Sequence, residues 1–93
     1  LRPPELMNTN IELGQNYFER GMIDEAIDEF KQALDDPEVK DDALYKIGIC
    51  ELERGDIQQA ESVFETLAKA EGISDHIRRS ALDHLDQIQR QRA

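Results

Sequence analysis

Apolar residues recur three or four positions apart along most of the chain, the spacing of a single helical face. The stretch Ile11 to Phe18 carries core-type residues at Leu13, Gly14 and Tyr17. Gly21 then ends this helix, because a left-handed C-terminal cap favours a residue without Cβ. The next segment puts Ala26, Ile27, Phe30, Ala33 and Leu34 on one stripe. Asp24 and Glu25 stand at its first turn, where the helix dipole favours negative charge. Asp36-Pro37-Glu38 reads as a start signal, a capping Asp followed by Pro at the first helical position. The third helix holds Leu44, Ile47, Gly48 and Glu51 and ends at Gly55. Asp56, with Gln59 three residues on, resembles a capping box for a fourth helix. That helix carries Ala60, Val63, Phe64, Leu67 and Ala68 and stops at Gly72. Ser74 or Asp75 caps a last helix with Ile77, Ala81, Leu82, Leu85 and Ile88 on one side. The pattern predicts an all-α chain of five helices joined by short turns.

The first four helices repeat. A shift of 34 residues lays Gly14 on Gly48, Glu19-Arg20-Gly21 on Glu53-Arg54-Gly55, and Ile23 on Ile57. Ala26 then falls on Ala60, Phe30 on Phe64, Leu13 on Ile47 and Ala33 on Leu67. The matches spread over a whole period, as expected of a duplicated helical hairpin. A Gly facing an Ala on the partner helix would let the two helices pack closely, with the Phe filling the space beyond.

Leu13-Gly14-x-x-Tyr17, Gly21, Ala26, Phe30 and Ala33, then Gly48, Gly55, Ala60 and Phe64, resemble the tetratricopeptide repeat at its usual period. The resemblance covers about residues 7–74. Pro37 sits one residue from the family's proline position, Asn10 stands where a large aromatic is usual, and Glu51 stands where the first unit has Tyr17. The resemblance implies an α-α superhelix, with residues 1–93 as a single domain. Repeats would span residues 7–40 and 41–74. Residues 75–91 form a capping helix, polar outside, where Asp86 replaces the close-approach Gly48. Glu51 faces that helix in this reading and would pair with Arg78 or Arg79.

Charge then narrows the partners. The net charge is −10, with 39% of residues apolar and 34% charged. Residues 1–75 carry 19 acidic and seven basic side chains, whereas residues 76–93 have two acids and four arginines. An acidic body repels phosphate backbones and anionic lipid, so neither nucleic acid nor a membrane surface is an expected partner. Such a surface also keeps a domain soluble without any partner. No run of 18 apolar residues is present to cross a bilayer, and no signal peptide is visible. Cys50 is the single cysteine, so an intramolecular disulfide and a zinc-cysteine cluster are both out, which favours a reducing compartment, the cytoplasm. The chain begins at Leu1, not Met, as a segment cut from a longer protein would.

The resemblance further implies a concave surface lined by the first helix of each hairpin. The matching positions are Asn8, Ile11, Gln15, Phe18 and Glu19, then Asp42, Tyr45, Ile49, Leu52 and Glu53. Ile11, Gln15, Phe18, Tyr45, Ile49 and Leu52 are the candidate partner-binding residues. They make an apolar patch with an acidic rim, the form of a protein-binding site, unless Leu6, Met7 or the last helix covers it. A peptide or helix laid in the groove is the expected mode. Some members of the family grip a C-terminal carboxylate with Lys, Asn and Arg. Here the matching positions hold Ile11, Gln15, Lys46, Ser80 and His84, so that mode is disfavoured and the groove should prefer basic or apolar ligands.

Other chemistry is missing. His76 and His84 lie eight apart, too far for the i, i+4 pair of a zinc helix, and read as surface histidines. Cys50 reads as a buried, inert thiol. No phosphate loop, serine elbow or calcium loop occurs. The expectation is a non-enzymatic interaction module without cofactor or metal, monomeric as an isolated domain. It would serve as part of a larger scaffold. The rival is a structural domain that self-associates, its Arg-rich last helix meeting a neighbour's acidic body head to tail.

Overall fold

The computed structural model describes residues 4–92, with side chains from Thr9 onward. The side chains of Leu6, Met7 and Asn8 lie outside the described residues. Helices α1 (Pro4–Glu19), α2 (Ile23–Gln32), α3 (Lys40–Arg54), α4 (Ile57–Lys69) and α5 (Asp75–Arg92) follow one another, with a 3-10 turn at Ala33–Asp35. Each helix packs mainly on the next, and α3 also touches α5. This zigzag of two helical hairpins and a fifth helix spans 44 × 31 × 17 Å.

The tight turns follow from glycine. Gly21 and Gly55 have φ of 79° and 89°, the left-handed region. Met22 N–H then bonds Tyr17 O at 2.9 Å and Gly21 N–H bonds Phe18 O at 3.0 Å. Asp56 N–H to Glu51 O at 2.8 Å and Gly55 N–H to Leu52 O at 3.1 Å repeat the pattern. These paired bonds satisfy the last carbonyls of α1 and α3 and turn the chain straight into the next helix.

Inside each hairpin a phenyl ring rests on bare backbone. A Cβ placed on Gly14 would lie 2.5 to 2.8 Å from three ring carbons of Phe30. On Gly48 it would lie 2.9 Å from the Phe64 ring. The expected partner of Gly14 was Ala26; the atoms nearest to it are those of Phe30. Ala26 and Ala60 are still fully buried, and Phe30 and Phe64 are among the largest fully buried side chains. One core cluster joins Ala26, Ile27, Phe30, Ile47 and Cys50; a second joins Ala60, Phe64, Leu67, Ile73, Ala81 and Ile88. Ala26, Ile27 and Phe30 of α2 and Ile47 and Cys50 in the middle of α3 therefore bind the hairpins to one another.

Several local expectations fail for identifiable reasons. Leu13 is 42% exposed, whereas its counterpart Ile47 is 4% exposed. The difference is the neighbour: Ile47 is covered by α2, and nothing among the described residues covers Leu13. Leu82 is 50% exposed, because it sits more than a quarter-turn from the stripe of Ala81, Leu85 and Ile88. Regular helix begins at Lys40, not beside Pro37. Asp36 Oδ1 accepts from Glu38 N–H at 3.0 Å, and Asp36 O accepts from Lys40 N–H at 2.8 Å, so the start signal builds a capped turn before the helix. Asp56 stands at the N-cap of α4 but makes no side-chain cap bond. Arg54 Nε holds its carboxylate at 2.8 Å instead, so the capping box does not form. For α5 the choice falls on Ser74, whose Oγ accepts from Ile77 N–H at 3.3 Å.

Replacing Gly14 by Ala tests the ring contact. Alanine favours a helix interior by about 1 kcal/mol over glycine. Here its methyl must displace the Phe30 ring, at a cost of about 1–3 kcal/mol from overpacking. The expected result is a lower thermal midpoint by circular dichroism; a higher one would mean that the ring yields freely.

Candidate functional site

Helices α1 and α3 run along one side of the molecule, and the space between them is the candidate site. Its wider part, about 600 Å³, is lined by Ile11, Glu12, Gln15, Asn16, Asp42 and Lys46. A smaller hole of about 110 Å³ adjoins it, lined by Gln15, Phe18, Phe30, Tyr45, Lys46 and Ile49. Gln15 and Lys46 border both. Five of the six candidate residues thus meet here: Ile11, Gln15, Phe18, Tyr45 and Ile49. Leu52, one turn beyond Ile49, packs half-buried against the second core cluster and lines neither depression. Glu19 and Glu53 are exposed.

The apolar members are half-buried and lean on the core. Ile11 and Phe18 pack against the first cluster, Tyr45 and Ile49 against the second. The groove is therefore a seam between two packed hairpins. Phe30, 1% exposed, forms part of the floor; periodicity marked it only as core. Lys46 Nζ lies 3.7 Å from Asp42 Oδ1, one turn back on α3.

Behind the groove, Tyr45 connects α3 to α5. Its hydroxyl lies 2.9 Å from His84 Nε2. The imidazole stacks on the Phe64 ring, with centroids 4.8 Å apart and planes at 12°. Tyr45 also contacts Phe64, at 5.9 Å between centroids. His84 is thus a packed member of an aromatic cluster and not the surface histidine expected. Burial holds its pKa below the ordinary 6.5, with Asp83 pulling weakly the other way. Burial pushes the Tyr45 phenol up, opposed by a hydrogen bond from Ser80 and reinforced by Asp83. A neutral phenol can donate to the unprotonated Nε2, which puts the imidazole proton on Nδ1. The missed signal was periodic: His84 lies three residues after Ala81 and four before Ile88, on the same stripe.

Other polar groups fasten the scaffold. Asn10, 5% exposed, donates through Nδ2 to Glu29 Oε1 at 2.8 Å, which ties α1 to α2 at the position where an aromatic is usual. Arg92 forks onto Glu61 at 2.8 and 3.0 Å and ties the end of α5 to α4. Arg78 donates to Ala70 O at 2.7 Å, so it is not the expected partner of Glu51. Glu51 is 9% exposed, and its Oε1 has no hydrogen-bond partner. Burial raises its pKa; Arg54 is the first opposing charge, and Lys31 of α2 also acts. Among the charges acting on Glu51, Arg54 and Lys31 oppose the rise and Asp56 adds to it, and Arg54 is itself turned to Asp24 and Asp56.

Cys50 is fully buried, and burial pushes its thiol to about 11, away from thiolate. No group of three metal-ligating side chains occurs among the described residues. No helix among them is long and apolar enough to cross a membrane. In comparison with known families, residues 17–74 match the tetratricopeptide repeat model. No curated protein and no solved structure matches the chain.

Two measurements probe these buried groups. With its folded pKa below the unfolded value, His84 favours the neutral state in the fold. Its contribution is complete above about pH 6.5 and is lost as the pH falls below that and through the lower folded value. Thermal midpoints should decline as the pH falls below about 6.5, and the decline should flatten in His84→Gln. An equal slope in both proteins would remove His84 as its source. Glu51→Gln deletes a buried charge while keeping its shape, and should raise stability in urea by about 1 kcal/mol; a loss would reveal a partner for the carboxylate.

Proposed function

The chain belongs to the tetratricopeptide repeat family, and from that premise we propose that it docks a segment of another polypeptide in the seam between α1 and α3. Repeats of this family are generally protein–protein interaction modules and are typically non-enzymatic. The observation that carries the reading is the meeting of Gln15, Phe18, Tyr45 and Ile49, from two helices, around one apolar hole. A seam with packed walls costs little to order when a ligand enters it. The preferred ligand is apolar or basic, because the chain is acidic overall and, among the described residues, Lys46 is the one basic residue bordering either depression. The carboxylate-gripping mode lacks its basic set: Ile11 and Gln15 replace it on α1, and His84 is occupied with Tyr45.

Head-to-tail self-association has less in its favour. Three of the four arginines of α5 are engaged within the chain: Arg78 on Ala70, Arg90 on Asp86 and Arg92 on Glu61. We therefore take the isolated chain to be a monomer. A lone buried thiol suits a reducing setting such as the cytoplasm.

Gln15→Trp is the direct test. Gln15 is exposed and borders both depressions, so an indole there blocks the seam without entering the core. Circular dichroism and the thermal midpoint should stay unchanged, while affinity for a captured partner falls about tenfold or more, which is about 1.4 kcal/mol. Ile49→Glu should act in the same direction. A partner bound equally well by both variants would place docking elsewhere.

A further inference from the structure

The smaller hole has a definite size, floor and rim, and these specify more than a generic groove. Phe18, Tyr45 and Ile49 form its walls and Phe30 its floor, so four of its six lining residues are apolar. The walls are fixed from behind: Tyr45 is held by its hydroxyl at His84, and the Phe30 ring rests against Gly14. The volume is about 110 Å³. An engineered cavity that takes a benzene ring holds about 150 Å³. The hole is open on one side, and a volume of this order suits one branched aliphatic or thioether side chain better than a whole aromatic ring. The wider depression beside it carries Glu12 and Asp42 against Lys46. Lys46 and Asp42 face one another at 3.7 Å, which leaves the exposed Glu12 without an ion pair among the described residues.

We infer that the partner presents a Leu- or Met-sized side chain to the hole between Phe18, Tyr45 and Ile49, with a Lys or Arg beside it over Glu12. This rests on reading the α1–α3 seam as the docking site, and it names the chemistry of the occupant. Charge complementarity commits it to a basic neighbour. An acidic one would meet Glu12 and the field of a chain with net charge −10, while Lys46, the one cation lining the seam among the described residues, is already opposed by Asp42. The apolar anchor supplies the buried contact. The rim charge contributes mainly to the rate of encounter and to salt dependence.

The probe is a displayed library of random dodecapeptides selected on the whole chain. The strongest binders are then made synthetically and titrated by fluorescence anisotropy. Enrichment of Leu or Met with Lys or Arg two to four residues away is the expected result. Changing the anchor to Phe, or the basic residue to Glu, should each weaken binding about tenfold. Raising the salt should weaken the basic peptides more than neutral ones. Glu12→Lys, a change at an exposed position, should abolish the preference for Lys and Arg while keeping that for Leu and Met. Amide shifts on titration should centre on Gln15, Phe18, Tyr45 and Ile49. Peptides that shift these amides but are led by aromatic or acidic residues would overturn this inference and leave the seam as the docking site. Peptides that bind elsewhere, or a library that yields none, would overturn both.

Discussion

The packing of each hairpin depends on one contact, a phenyl ring lying on a helix backbone that has no side chain. Phe30 meets Gly14 and Phe64 meets Gly48 at distances no Cβ would tolerate. That contact sets how near the two helices of a hairpin approach. It also fixes where Phe30 stops, and the position of Phe30 decides whether the seam between α1 and α3 has a floor. A bulkier residue at Gly14 would part the helices and alter the hole at the same time. Core geometry and the candidate site are thus one packing problem, as expected of interiors that transmit strain rather than absorb it.

Between hairpins the bonds are of another kind. Ala26, Ile27 and Phe30 of α2 and the apolar face of α3 form the greasy part of the joint, and Ile47 and Cys50 are buried there. Around it runs a set of polar fasteners. Arg54 reaches from the end of α3 to Asp24 of α2 at 2.6 Å and to Asp56 at 2.8 Å. These charges are substantially exposed, so each contributes little to stability, while together they restrict how one hairpin leans on the next. The last helix uses Arg92 on Glu61 and Arg78 on Ala70 in the same way. Nearest-neighbour packing with few long-range contacts is the general logic of helical repeats.

Most of the fold was legible because it is periodic. The stripe of Ala26, Ile27 and Phe30, its copy at Ala60 and Phe64, and the turns at Gly21 and Gly55 follow from spacing and duplication alone. The misses share a cause, which is that periodicity is blind to what lies across a gap. Leu13 and Ile47 are equivalent in register and opposite in burial, since burial depends on the neighbour. Glu51 is governed first by burial and then by Arg54, with Lys31 acting from α2 across the gap. Asp56 has the right place for a cap, but a guanidinium two residues away competes for its carboxylate. At the site, Ile11, Gln15, Phe18, Tyr45 and Ile49 came from the family resemblance, whereas Glu12, Asn16 and the floor at Phe30 were not marked by it as lining. His84 was missed because histidine was judged by metal-ligand spacing and not by the stripe on which it lies.

Tyr45 belongs to two places at once. Its ring walls the hole, and its hydroxyl is bonded to His84 on the final helix. A guest that braces the ring would also steady the helix behind it, and loosening that helix would slacken the wall, because such coupling is reciprocal. Occupancy on one side of the molecule would then register as slower amide hydrogen exchange along α5, far from any atom the guest touches.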